Sequence, residues 1–137
     1  HGNNFVKTML RLGTEREALG VVSDQIGCPT AAVDIADALL TIAACFERGD
    51  DVASGVYHFV NAGEASWFDL AAFVFEHAAV AGRKSPNLSA IATADYPTPA
   101  SRPVNSRLAT DKISLSFGLR PRVWQNAVGD ILSELLA

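Results

Sequence analysis

The sequence predicts a small mixed α/β domain, and three observations carry that reading. Its 137 residues are enough for one domain with a core, burying about two thirds of the surface exposed by the unfolded chain. Helical periodicity and short β-branched runs alternate, in the order helix, strand, helix, strand, helix, strand, helix, helix. Three strands are too few for a complete doubly wound sheet, and no repeat or low-complexity tract interrupts the pattern. Residues 1–137 therefore read as one domain.

Phe5, Met9 and Leu12 recur at spacings of four and three, with Val6 and Leu10 beside them, which predicts a helix over 4–12 that stops at Gly13. Leu19-Gly20-Val21-Val22 predicts a short strand, followed by the loop Asp24-Gln25-Ile26-Gly27-Cys28-Pro29-Thr30. Thr30 is placed to cap a helix over 31–48. Its stripes Ile35, Leu39, Ile42, Phe46 and Val33, Ala36, Leu40, Ala43 cover most of the circumference and predict a central position. Gly55 to Val60 is the strongest strand by propensity, and Asn61-Ala62-Gly63-Glu64 is a turn.

Ser66 stands three residues before Asp69, a capping-box pattern for a helix with Trp67, Leu70, Val74 and Ala78 on one face, ending near Gly82. Pro86, Pro97, Pro99 and Pro103 forbid a helix between Ser85 and Pro103, leaving a short strand at 88–92 and an ordered loop or lid. Thr110 caps a short helix that Gly118 stops, with Pro121 beyond. Trp124, Val128, Ile131 and Leu135 define a last helix over 123–136.

Composition narrows the function. Eleven Lys+Arg against 15 Asp+Glu give a net charge of −4, with the cations in no single stripe, which argues against a nucleic-acid module. The longest apolar stretch, Ala31 to Phe46, holds Asp34 and Asp37 and falls short of the ~20 residues of a bilayer span. Cys28 and Cys45 lie far apart with no nearby histidine pair, so no metal site is expected; both read as reduced thiols in a cytoplasmic protein. The opening His1-Gly2-Asn3-Asn4-Phe5 has neither a methionine nor a signal core, and reads as a continuation of something longer. With glycine counted, the apolar share exceeds the usual ~45–50%, so part of the apolar surface is expected to belong against something else.

Several chemistries find no support. No glycine spacing matches a dinucleotide or triphosphate cradle, no G-x-S-x-G elbow surrounds a serine, and neither Tyr57 nor Tyr96 has a lysine four residues on. His1, His58 and His77 are isolated from one another. Two loops stand out instead. The first, 24–30, puts an amide and exposed backbone between a strand end and a helix start, a place suited to polar ligand groups; a plain connection is the competing reading. The second, Tyr96 to Arg107, holds Arg102 and Arg107 in a proline-stiffened segment. Such stiffening lowers the entropy lost when a guanidinium grips a phosphate, against the alternative of a solvated surface loop.

At these loops the chain resembles the C-terminal part of the dTDP-4-dehydrorhamnose reductases, in the extended short-chain dehydrogenase/reductase group. The residues that carry the likeness are Asn4-Phe5-Val6, Thr8-Met9-Leu10, Val22 to Thr30, Asp34-Ile35-Ala36, Gly55 to Phe59, Gly63-Glu64 and Ser66-Trp67. Above all it rests on Thr93 to Leu108, ending Arg102-Pro103-Val104-Asn105-Ser106-Arg107-Leu108. The resemblance spans almost the whole chain.

It implies a two-domain enzyme about twice as long that reduces dTDP-4-dehydro-L-rhamnose to dTDP-L-rhamnose with NADPH. Cofactor and proton donor would belong to an N-terminal Rossmann domain not present here, leaving this part without catalytic residues and inactive alone. It also implies that Arg102, with Asn105 beside it, contacts the nucleotide diphosphate of a dTDP-sugar. Many relatives carry a second arginine where Gly27 stands, which leaves Gln25 and the backbone near Gly27 as the nearest further substrate contacts. Removal of the partner domain would expose Phe5, Met9 or part of the Trp67 helix and favour a homo-oligomer or a rearranged terminus. Competing readings are a fragment of a related nucleotide-sugar epimerase or dehydratase, and a noncatalytic nucleotide-diphosphate-binding module.

Overall fold

The computed structural model describes residues 2–100 and 102–137. The elements are α1 (Phe5–Glu15), β1 (Ala18–Val22), β2 (Ile26–Gly27), α2 (Ala32–Glu47), β3 (Ala65–Ser66), α3 (Trp67–Val80), β4 (Asn87–Ile91), α4 (Asp111–Phe117) and α5 (Trp124–Leu136), with a 3₁₀ turn at Thr93–Asp95. β1 and β4 pair in parallel, Ala18 opposite Asn87 through Val22 opposite Ile91, and β2 pairs antiparallel with β3. This is the small mixed α/β arrangement the sequence predicts.

The core centres on α3. Ala71, Val74 and Phe75 are buried between Met9 of α1, Val21 of β1, and Trp124, Val128 and Leu132 of α5. α3 starts as its sequence requires: the Ser66 hydroxyl accepts from the Asp69 N–H, and the Asp69 carboxylate accepts from the Ser66 N–H at 2.8 Å. Two orphan donors of the first turn are thereby satisfied, beside the positive helix end. Gly118 ends α4 at φ +67°, the left-handed geometry that glycine adopts without strain.

Five expectations are corrected. α1 does not stop at Gly13 but runs to Glu15. Gly13 is there for close packing, since a Cβ at that position would lie 2.9 Å from Phe75 Cε1 on α3. Thr30 does not cap α2. Its hydroxyl donates to the Cys28 carbonyl, while the Asn61 side chain accepts from the Ala31 N–H at the helix start. Thr110 precedes α4 without a side-chain cap bond. Residues 55–60 form no strand; propensity supplies no ladder partner, and the bridge between Ala62 and Val123 lies beyond them.

The fifth concerns α2, which lies on the surface rather than at the centre. Only Ala38 and Cys45 are buried, while Leu39, Leu40 and Phe46 are each about 60–70% exposed, because one narrow stripe suffices for its contact with the rest of the chain. Exposed apolar surface sits on α2, where the sequence did not place it, and on part of α3, where it did: Trp67 is 37% and Val80 91% exposed. Met9 is buried, and Phe5 packs against Trp67 with ring centroids 4.8 Å apart. No helix among the described residues is long and apolar enough to cross a membrane.

Candidate functional site

The two parallel strands deliver their following segments to one edge, where side chains stitch them together. After β1, the Asp24 carboxylate accepts from the N–H and the hydroxyl of Thr93, the residue that opens the 3₁₀ turn after β4. These bonds hold the Asp24 carboxyl below its ordinary pKa. Gln25, nearly fully buried, donates its amide N–H to the Thr93 hydroxyl at 3.0 Å and accepts from the Trp67 indole N–H at 3.2 Å.

One residue further, Ile26 sits between two neighbours. On one side Ile26-Gly27 pairs with Ala65-Ser66 at the start of α3. On the other, the Ile26 N–H donates to the Val104 carbonyl at 2.8 Å, and the Ser106 N–H donates back to the Ile26 carbonyl at 2.9 Å, bridging Ile26 to Asn105. The two loops that stand out in the sequence are therefore one built object, with β2 as its middle strand. Gly27 permits this closeness: a Cβ there would lie 2.8 Å from the Ser106 hydroxyl, which would have to turn aside.

Two cavities open on either side of this object. The first, about 310 Å³, is walled by Gly27, Cys28, Pro29, Trp67 and Leu70. The second, about 440 Å³, lies between α1, β1 and the Tyr96–Thr98 segment. Gln25, Trp67 and Arg102 line both, and Arg102 is the only charged residue on either wall among the described residues. Its guanidinium is exposed and forms no ion pair among the described residues.

The other arginine of the loop is committed. Arg107 donates to Glu64 at 2.8 Å and, from its Nε and backbone N–H, to the Asn105 side-chain carbonyl, so its pKa is raised by Glu64. Of the four residues the sequence singles out, Arg102, Gln25 and Gly27 meet at the first cavity. The Asn105 side chain turns to Arg107 instead, and the Gln25 amide is occupied by Thr93 and Trp67.

Two features escaped the sequence reading. Trp67 is a cavity wall as well as a helix residue, 37% exposed, a position that helical periodicity alone assigns to packing. Asn61, 1% exposed, anchors the far end of the 24–30 loop. Its backbone N–H donates to Thr30, its carbonyl oxygen accepts from Ala31, and its amide N–H donates to Asp34 and to the Arg122 carbonyl. Arg122 in turn bridges Asp34 and Asp130, which holds the Asp34 carboxyl below its usual range. The side chain of Asp34 is 11% exposed, so its carboxylate is shielded from solvent, whereas Asp130 lies open to it.

The family model described as RmlD substrate binding domain matches residues 1–137. The chain belongs to that family. As an RmlD substrate binding domain it is 48% identical over 133 residues to the dTDP-4-dehydrorhamnose reductase of Aggregatibacter actinomycetemcomitans, covering 96% of this chain and 45% of that relative. It is 48% identical over 136 residues to that of Escherichia coli K12, again covering 45% of the relative. The chain thus spans under half the length of these relatives.

Among solved structures, an RmlD-type reductase from Clostridium acetobutylicum superposes with a TM-score of 0.85 at 32% identity, covering 99% of this chain and 45% of that one. One from Bacillus anthracis, in complex with NADP, superposes with a TM-score of 0.81 at 34% identity, covering 98% and 44%. These matches show that the domain shares its fold with part of a larger Rossmann-like reductase.

Proposed function

We propose that this chain is the substrate-holding part of a two-domain dTDP-4-dehydrorhamnose reductase, which reduces dTDP-4-dehydro-L-rhamnose at C4 to dTDP-L-rhamnose with NADPH. The observation that carries the reading is Arg102: an exposed cation with no ion pair among the described residues, on the shared wall of two otherwise uncharged cavities. The names of the relatives and the match along the whole chain point to the same substrate class.

Arg102 offers a planar fork of donors that matches a diphosphate bidentately, and its loop is fixed in advance by the backbone bonds of Val104 and Ser106 to Ile26. Little ordering is left to be done on binding. The residues present do not fit the dinucleotide. At the edge where β1 and β4 end, the Asp24 carboxylate engages Thr93, and no glycine-rich turn leads from either strand into a helix. NADPH therefore belongs to the other part of the enzyme, and this chain's task is to bind and orient the nucleotide sugar.

Calorimetric titration of the chain with dTDP tests the reading. Binding is expected, and Arg102→Ala weakens it roughly 10- to 150-fold, the range of one charge-assisted hydrogen bond. A wild-type chain that binds no dTDP overturns the reading.

A further inference from the structure

The Arg102 guanidinium forms no ion pair among the described residues, so its place on the wall of both cavities is set by the backbone that carries it. Between Thr93 and Val104 the described hydrogen bonds stay local: the Asp95 N–H donates to the Ala92 carbonyl, the Tyr96 N–H to the Thr93 carbonyl, and the Thr98 hydroxyl to the Ala100 carbonyl. Pro97, Pro99 and Pro103 stiffen this segment by fixing φ. Its hydrogen-bonded attachments to the rest of the chain are at its two ends, and both ends dock on three consecutive residues, Asp24-Gln25-Ile26.

The two ends differ in kind. At Val104 and Ser106 the attachment to Ile26 is made chiefly by backbone groups, joined by the Ser106 hydroxyl at 3.2 Å. At Thr93 it rests on side chains. The Asp24 carboxylate accepts from the Thr93 hydroxyl at 2.6 Å and from its N–H at 3.0 Å, and the Gln25 amide donates to the same hydroxyl at 3.0 Å. Gln25 is itself buried and held at its other amide atom by the Trp67 indole N–H. The hydroxyl is thus the middle of a chain that runs from an amide to a carboxylate, each bond polarising the next. Its loss removes the Gln25 arm and leaves Asp24 only the backbone N–H. A loop fixed at both ends presents Arg102 already ordered, whereas one released at Thr93 bears that ordering cost when a ligand binds.

We infer that Thr93 is a positioning residue for Arg102: the clasp that Asp24 and Gln25 close on its hydroxyl sets where the segment from 94 to 103 holds the guanidinium over the cleft. The inference rests on the nucleotide-sugar reading and goes beyond it by assigning a role in binding to residues that do not themselves touch the ligand.

The test is calorimetric titration of the variants with dTDP. Thr93→Val keeps the β-branched shape and the backbone bond, and is expected to weaken dTDP roughly five- to tenfold; Thr93→Ser restores the hydroxyl and stays within about twofold of the wild-type chain. Asp24→Ala opens the clasp from its exposed side, where water satisfies the Thr93 groups, and so guards against a folding defect. Removal of that negative charge by itself would strengthen binding of an anion, whereas loss of the clasp weakens it by about threefold or more. In the Arg102→Ala background Thr93→Val adds less than about twofold, because it acts through that arginine. Affinity that is unchanged in Thr93→Val, unchanged or tighter in Asp24→Ala, not restored in Thr93→Ser, or reduced by the full factor again in the double variant overturns this inference alone. A wild-type chain that binds no dTDP overturns the underlying reading with it.

Discussion

Replacing Asn61 by alanine tests how the cleft loop is anchored. The side chain is fully buried and makes three contacts: it accepts from the Ala31 N–H at 2.9 Å and donates to Asp34 and to the Arg122 carbonyl. Truncation strands the Ala31 donor, which is itself 3% exposed, at about 1–3 kcal/mol. It also removes one donor from a shielded carboxylate, a bond in the range of about 1.5–3 kcal/mol. Arg122 still neutralises Asp34, so the second loss falls at the low end, and a total near 3 kcal/mol is expected.

For a chain of this length the unfolding entropy is about 0.3 kcal/mol/K, which converts that loss to a drop in Tm of about 10 °C. Thermal melts and urea titration read it, with the urea m-value unchanged. A loss below about 1 kcal/mol would refute the claim that this side chain, rather than the neighbouring backbone, fixes the start of α2.

Two further outcomes follow from the same geometry. Gly27→Ala forces the Ser106 hydroxyl to rotate off the Ile26 carbonyl, costing about 1 kcal/mol; in a double-mutant cycle with Ser106→Gly the penalty falls by more than half, and additive losses would show that the two loops are uncoupled. Asp34 has a lowered folded-state pKa, so its stabilisation is present above the ordinary carboxylate range and is lost as pH falls through the folded value. Urea midpoints between pH 2 and 5 should therefore rise with pH in the wild-type chain, and more shallowly in Asp34→Asn. Equal slopes in the two chains would count against the Arg122 pairing.

The elements read most directly from sequence are those whose signals are local. The Ser66–Asp69 box and the Gly118 stop each need only residues within one turn, and both appear as spaced. The misread elements depend on partners far along the chain. Residues 55–60 have strand propensity but no neighbouring strand, and the cap of α2 comes from Asn61 rather than from adjacent Thr30. The uniform apolarity of α2 reads as burial from sequence, yet Leu39, Leu40 and Phe46 stay about 60–70% exposed. Periodicity reports which residues tolerate burial, and only packing decides which of them receive it.

The same limit governs the site. Arg102 and Arg107 occupy one proline-stiffened loop and look equivalent as cations, but among the described residues Arg102 forms no ion pair whereas Arg107 is held. What separates them is Glu64, 43 positions away in sequence and brought to Arg107 by the turn that precedes α3. Because that turn also carries Ala65 and Ser66 into pairing with Ile26 and Gly27, the contact that neutralises Arg107 belongs to the same assembly that walls the cavity beside Arg102. A single local arrangement thus removes one charge from the cleft and leaves the other on its wall. On the proposed function, one guanidinium without an ion pair among the described residues would hold a diphosphate at one position, whereas two free arginines five residues apart would leave it a choice.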